Sequence, residues 1–581
     1  MRESHLMVLY NLTFTLALFL TISFIKYVLK KKISLFQLLI AISILPVLST
    51  FRSGTYNAGD LTLHTAYLYS FFDNLKNGVL IPQWAEHLCG GYGCPVFMFE
   101  YTTPFYIASF FHLIGFSYLT SMKLFLASAY IASGVTMYLF VKNDYCDESA
   151  FTAALIYLFA PIRFIEMHFR TSVGTDAAFI FIPLAFLFAK KVLKGRPIYI
   201  TLTAVNILLL LLSHSSTSLV VIPLSAVYAF LKRKNIRQMM YVLVAFVLGF
   251  GISAWYILPA LFELKYTWYY IGITNAKYVF LPIIDTIYSH TYLGLLYQGR
   301  HGESWPVIGY STIIVIVVSI YYLLKSKYLR HEKTITIFFL SSFFILFFMM
   351  LPPSKFLWEN VFFLKSFIIY WRVLVPITFI TGYLGAVAAG HLNKKHLIAF
   401  CLFTVFSTIL NWGNRDMVPF DPKRYFNQRV LYTEYYEPHN PVLLERYKTR
   451  FPITDSIVQQ KPKAHLEILS GRGSMQETYR NPIDHRYLVQ ADTDLLLSEN
   501  TYYFPGWRIY ANGEGVPVIH DNSLKFGTNV FNLKRGSYKI RVVFEDTRVR
   551  KLGKVLSLLS LSILGFYMLF KNPPAIPDKH S

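Results

Sequence analysis

Apolar runs long enough to cross, or nearly cross, a bilayer core recur along this chain, and short loops rich in lysine and arginine separate them. A stretch of about 18 apolar residues with few charges is hard to bury anywhere but in a membrane span. Such runs lie near Met7–Leu29, Ile33–Thr50, Leu119–Val141, Phe151–Ile165, Ala178–Leu193, Ile198–Leu212 and Ser218–Leu231. Others lie near Met239–Leu258, Val307–Leu324, Thr334–Leu351, Val373–Gly390, Leu397–Trp412 and Leu552–Phe570. They predict a polytopic α-helical membrane protein of about 13 transmembrane helices. With the N-terminus outside, the clusters Lys30-Lys31-Lys32, Lys190-Lys191, Lys232-Arg233-Lys234 and Lys394-Lys395 all fall on the cytoplasmic side. That bias accounts for the net charge of +23 without a nucleic-acid partner, and no basic, aromatic-interleaved soluble domain is visible.

The composition divides the chain. Residues 1–412 read as the membrane domain, with a polar and aromatic extracytoplasmic loop over 51–118. From 413 to 550 short β-type runs such as HLEIL, RYLVQA, NVFNL and SYKIRVVFE alternate with NG and RG turns, the pattern of an extracytoplasmic all-β sandwich. Residues 551–581 supply a final span and a cytoplasmic tail.

The loop carries the chemistry-bearing residues. Asp60 and His64 stand four apart, so a helix would put both on one face, and Glu86 and Glu100 follow. Asp60 alone also suits a helix N-cap. Cys89 and Cys94, in CGGYGC, stand where a disulfide would persist. Three further groups fall on the same side: Arg163, Glu166, His168, Arg170 and Asp176; His214 in SHSSTS; and Lys355, Glu359, Lys365 and Arg372. Ionisable residues at the ends of membrane segments are costly unless paired or facing water, so they mark function by default.

In order along the chain, the GD dipeptide ending at Asp60, His64, Trp84, GGYG, Pro95 and a later acidic residue resemble membrane glycosyltransferases of the GT-C fold. The segments LLLSHSSTS, SAWYILPALFE and YWR are similar to bacterial membrane proteins labelled 6-pyruvoyl-tetrahydropterin synthase-related, although no pterin-enzyme set of metal-ligand histidines is present. The chain departs from those patterns in Ile369-Tyr370-Trp371-Arg372, in Ser215 after the histidine, and in Asp176 where glutamate is common.

The resemblance implies an inverting transfer of sugar from a polyprenyl-phosphate carrier to a glycan, lipid or protein acceptor, in the bacterial inner membrane with the site extracytoplasmic. Asp60 and Asp176 would then be the catalytic carboxylates, and if a divalent metal ion takes part the same pair would hold it. Arg170 and Arg372 would meet the phosphate, with His64, His214 and Trp84 contacting substrate. A transporter or flippase of lipid-linked glycans and a non-catalytic envelope scaffold are the alternatives. A transporter would place its charges near the bilayer midplane in related halves, and no internal repeat is visible.

Overall fold

The computed structural model describes residues 3–57, 59–267, 269–270, 278, 280–297, 305–325, 330–365, 367, 369–420, 464–519 and 527–570. The part of the expected sandwich over 421–463 and the tail over 571–581 lie outside the described residues.

The first twelve helices are α1 (Glu3–Tyr27), α2 (Leu35–Val47), α3 (Leu61–Lys76), α4 (Thr103–Leu113), α5 (Tyr118–Lys142), α6 (Asp147–Leu158), α7 (Pro161–Phe164), α8 (Val173–Lys191), α9 (Pro197–Leu211), α10 (Ser215–Lys232), α11 (Arg237–Ile252) and α12 (Ala254–Phe262). Every expected span is helical, but fewer have the length of one. Among the described residues five helices are long and apolar enough to cross a membrane, or up to eight if each bent pair is one span. That makes the chain a multi-pass membrane protein, and the expected count of 13 is not reached among the described residues.

The shortfall has local causes. At 1.5 Å per residue the 15 residues of α9 reach about 22 Å, short of a core of about 30 Å. The expected Phe151–Ile165 span bends by 49° between α6 and α7, where Pro161 restarts the helix, and Met239–Leu258 bends by 65° between α11 and α12. At the second bend the Ser253 hydroxyl donates back to the Gly249 carbonyl, a bond that bends helices.

The helix Leu374–Ala389 is the axis of the membrane part, and all of its residues are buried. Gly385 lets it approach α6 closely, since a Cβ there would stand 2.1 Å from Ile156 Cδ1. The helices α1 and Arg548–Phe570 lie at the other extreme, 6% and 17% buried over their most apolar windows, and present Leu, Phe and Ile outward as lipid-facing helices do.

Ten strands complete the described structure. β1 (Thr55–Tyr56) pairs antiparallel with β2 (Met417–Val418), which ties residues 417–418 to the loop rather than to the sandwich. The sandwich follows as β3 (Leu466–Ser470), β4 (Gly473–Asn481), β5 (Asp484–Ala491), β6 (Leu495–Tyr502), β7 (Trp507–Ala511), β8 (Glu514–Val516), β9 (Thr528–Leu533) and β10 (Gly536–Phe544). One sheet runs β4-β5-β10-β7-β8 and the other β3-β6-β9. In β5 alternate residues are buried, so Tyr487 and Val489 join Leu497, Ile509, Phe531 and Val542 between the sheets.

The sandwich grips the loop rather than hanging from its tethers. Trp84, fully buried, sets its ring 5.3 Å from both Trp507 and Phe544. Tyr92 stacks on Tyr502, whose backbone N–H donates to the Tyr92 carbonyl at 2.9 Å. Gly93 makes room for Trp84, because a Cβ there would lie 2.4 Å from the indole nitrogen. Cys89 and Cys94 are joined by a disulfide with a Cα–Cα distance of 6.1 Å, closing the turn that carries these contacts. Behind them Arg550, fully buried at the head of the last helix, pairs with Glu263 at 2.8 Å and donates to the carbonyls of Pro505 and Glu545.

Candidate functional site

Five segments that lie far apart in sequence meet beside Asp60. Its backbone N–H donates to the Arg170 carbonyl at 2.8 Å, which fastens the start of α3 to the turn before α8. Gly59 permits the approach: its φ is +84°, and a Cβ would stand 2.3 Å from the Phe169 carbonyl oxygen. On the other side the backbone N–H groups of Thr102 and Thr103 both donate to the Leu212 carbonyl, bringing Glu100 and Tyr101 against the turn before α10. Gly174 is the matching gap, since a Cβ there would meet the Tyr101 ring at 2.4 Å and the Ser213 carbonyl at 2.6 Å. The fifth segment, Tyr370–Val373, supplies Trp371 and Arg372.

Asp60 occupies the N-cap position of α3, yet its side chain makes no capping hydrogen bond. The carboxylate is partly exposed and the charges acting on it are Arg170 and Arg372. Burial raises its pKa, and the two guanidinium groups pull the other way. A carboxylate that satisfies no helix end, stands partly open and faces two arginines is available for chemistry.

His64 is 2% exposed, and its Nε2 lies 3.0 Å from the Tyr101 hydroxyl. Burial, helped by Arg170, pushes its pKa down to about 3, so it stays neutral at any ordinary pH. Burial also drives the Tyr101 phenol well up, with Glu100 and Asp60 adding to the effect. The His64–Tyr101 pair is therefore a neutral hydrogen-bonding wall rather than a proton store. His214 caps α10: its Nδ1 accepts from the Thr217 backbone N–H at 3.2 Å, which leaves Nε2 as the protonated nitrogen of the neutral ring. Both Arg170 and Arg372 act on it electrostatically.

The two arginines are held differently. Arg170 ends a π-helical turn, Ile165–Arg170, of the kind that recurs at functional sites. Its Nη1 bonds both carboxylate oxygens of the buried Glu166, at 3.0 and 3.3 Å, and its guanidinium lies 5.1 Å from the Trp371 ring centre. Arg372 donates from Nη1 to the Phe367 carbonyl at 2.8 Å, while its buried Nε has no hydrogen-bond partner among the described residues. A guanidinium N–H left unpartnered among the described residues, beside a second arginine, can donate to an anion.

Two expected site residues have other neighbours. Asp176 is 1% exposed in the first turn of α8, with its Oδ1 3.7 Å from Arg163, and that arginine lies over the Phe179 ring and bonds Ser133. The charges that act on Asp176 are Arg163 and Glu166, not those that act on Asp60. The two carboxylates thus answer to different charges, and two guanidinium groups already supply positive charge at Asp60. Trp84 is sealed between the loop and the sandwich, so it can stack on a protein ring but not on a substrate. Glu86 is likewise diverted, into an ion pair with Arg480 of the sandwich. Tyr101 is the site residue that sequence reasoning missed. It is one tyrosine among 42, and only its position next to Glu100 could have singled it out.

Gly59→Ala should move Asp60 off the Arg170 carbonyl. We expect a loss of about 1–3 kcal/mol from the strained backbone, read as a fall in thermal midpoint, together with reduced activity at the site.

No family model matches the chain. Over 246 residues it is 25% identical to an uncharacterized protein of Lactococcus lactis subsp. cremoris (strain MG1363), a match that takes in 40% of each chain. The chain thus spans less than half of that relative's length. Among solved structures it overlaps the mycobacterial arabinofuranosyltransferase AftD with a TM-score of 0.39 and 14% identity, over 65% of this chain and 26% of that one. It also overlaps the Archaeoglobus fulgidus oligosaccharyltransferase in its apo form, with a TM-score of 0.39 and 14% identity, over 70% and 61%. Overlaps this loose do not fix an activity, and the matches named carry no pterin-related description.

Proposed function

We propose that this chain is a membrane glycosyltransferase that moves a sugar from a polyprenyl-phosphate carrier to a hydroxyl acceptor on the extracytoplasmic face. One observation carries the reading: the uncapped Asp60 carboxylate faces Arg170 and Arg372, the second of which has a buried N–H with no hydrogen-bond partner among the described residues. The GT-C-like order of motifs in the sequence agrees with it.

Direct displacement at the anomeric carbon forms a bond from the acceptor oxygen to C1 and breaks the bond from C1 to the phosphate oxygen. The bonding pair leaves with the phosphate and the acceptor's proton goes to the Asp60 carboxylate. Arg170 and Arg372 stabilise the charge that grows on the departing phosphate, and their low-dielectric setting strengthens that attraction. His64 and Tyr101 orient substrate hydroxyls without exchanging a net proton, and His214 donates from Nε2. Attack from the face opposite the leaving group inverts the anomeric centre.

The test is a rate-against-pH profile for protein in liposomes supplied with a polyprenyl-phosphate sugar and an acceptor. The rate should fall as pH drops through a single ionisation that lies above the ordinary aspartate value of about 3.9, because a protonated Asp60 accepts nothing. A profile flat down to the ordinary aspartate value would remove Asp60 as the base.

A further inference from the structure

Away from Asp60, at the far end of α3, Asp73, Glu86 and His87 converge so that one ligand atom from each lies within 4.8 Å of the others. Asp73 comes from the helix, and Glu86 and His87 from the loop that the sandwich grips. His87 Nε2 stands 3.1 Å from Asp73 Oδ2. Two ligand atoms each about 2.1 Å from one ion, at an angle between octahedral and tetrahedral, stand about 3.0–3.4 Å apart, so an ion fits between these two with little movement.

The remaining atoms are held as outer partners hold a metal site. Asn77 Nδ2 donates to Asp73 Oδ1 at 3.3 Å, which leaves Oδ2 for the ion. Arg480 holds Glu86 Oε1, which leaves Oε2. The Tyr69 ring lies 4.9 Å from the His87 ring and fixes its tilt. All three candidate ligands are partly exposed, so an ion can enter from solvent.

Charge points the same way. Arg480 is shared among Glu86, Glu477 at 3.6 Å and Glu499 at 3.5 Å, and Asp73 adds a further carboxylate beside Glu86. Among the described residues the other basic groups bonded to these carboxylates are imidazoles, His87 on Asp73, His465 on Glu477 and His485 on Glu499. Among the described residues one permanent cation thus faces four carboxylates at the seam between loop and sandwich, a balance that favours binding of a cation.

We infer that Asp73, Glu86 and His87 form a binding site for a first-row divalent transition ion, with Zn²⁺ the best match to one imidazole and two carboxylates. The bound ion ties α3 to the loop and, through Glu86 and Arg480, to the sandwich. The inference does not depend on the sugar-transfer reading, because its readout is the ion itself.

The experiment titrates Zn²⁺ into the full-length protein in detergent, after chelation and dialysis, and counts bound metal per chain. One ion per chain is expected, with His87→Ala and Asp73→Asn each weakening binding by more than about 100-fold, beyond the 10–100-fold that loss of an outer partner costs. Asp285→Asn, at the separate His290–Asp285 pair, should leave binding unchanged, and a monodisperse Asp73→Asn protein shows that the fold survives. Absence of a stoichiometric ion, or binding that His87→Ala and Asp73→Asn leave intact, would overturn the site. Binding that disappears with Asp60→Asn instead would move the ion to the other cavity and overturn it equally.

Discussion

Asp60→Asn is expected to lower sugar transfer by about 10²–10⁴-fold, the range that a positioned general base contributes, without lowering the stability of the protein. Asparagine keeps the shape of the side chain and removes only its capacity to take a proton. The stability half follows from the direction of the pKa shift. Burial raises the Asp60 pKa in the folded state, so between the unfolded and folded values the folded protein binds more protons than the unfolded chain. Stability contributed by this group is therefore present at low pH and lost as pH rises through that window. At neutral pH the charged carboxylate is a net cost, and the neutral amide should unfold at the same temperature as the wild type or at a higher one. A loss of activity with a lowered midpoint would mark Asp60 as structural instead. Thermal unfolding and transfer rate measured on the same preparation separate the two outcomes.

Arg550→Leu is expected to destabilise the protein by about 3–5 kcal/mol, because it takes from the buried Glu263 carboxylate its ionic partner and leaves it only the Thr547 hydroxyl among the described residues. The Pro505 and Glu545 carbonyls lose a donor in the same step. Gly506, with φ at +123°, is shaped around this contact, since a Cβ there would stand 2.6 Å from the Glu545 carbonyl and 2.7 Å from Arg550 Nη1. The FPGW segment is thus a clasp: Phe504 packs on Phe99, Pro505 offers its carbonyl, Gly506 clears the space and Trp507 closes on Trp84. The residue after Phe99 is Glu100, so loosening the clasp should also disturb the Tyr101 wall. A second change, Glu263→Leu, should restore the greater part of the lost stability, since an apolar pair of similar volume avoids the unpaired charge. The fall in thermal midpoint and the protease sensitivity of the sandwich measure both effects. A double variant no more stable than Arg550→Leu would mean that the carbonyl contacts, not the ion pair, hold the clasp.

What the sequence made legible follows from which forces act locally. The apolar runs announced helices because a membrane allows backbone polar groups no partner outside the helix itself. Their bends at Pro161 and Ser253 were less visible, since a run of apolar residues reads the same whether straight or broken. The β runs were legible from their alternation, except β4, whose GSMQETYRN is polar along its length. Within the candidate site, Asp60, His64, Arg170, His214 and Arg372 come together, while Asp176 stands beside Arg163 and Trp84 is sealed against the sandwich. Spacing shows that Asp176 and Arg163 lie near one another, but not that Arg163 turns inward over Phe179 and takes that carboxylate with it. Trp84 lacked any local signal, because its partners Trp507 and Phe544 stand more than 400 residues away.

Mass spectrometry of the lipids and glycans formed in liposomes tests Asp60 as the base of a sugar transfer most directly, with wild-type and Asp60→Asn protein offered the same panel of polyprenyl-phosphate sugars. The wild type should release free polyprenyl phosphate from one donor and extend an acceptor by one sugar, and Asp60→Asn should form both products about 10²–10⁴-fold more slowly. Equal product from both proteins would contradict the assignment of Asp60.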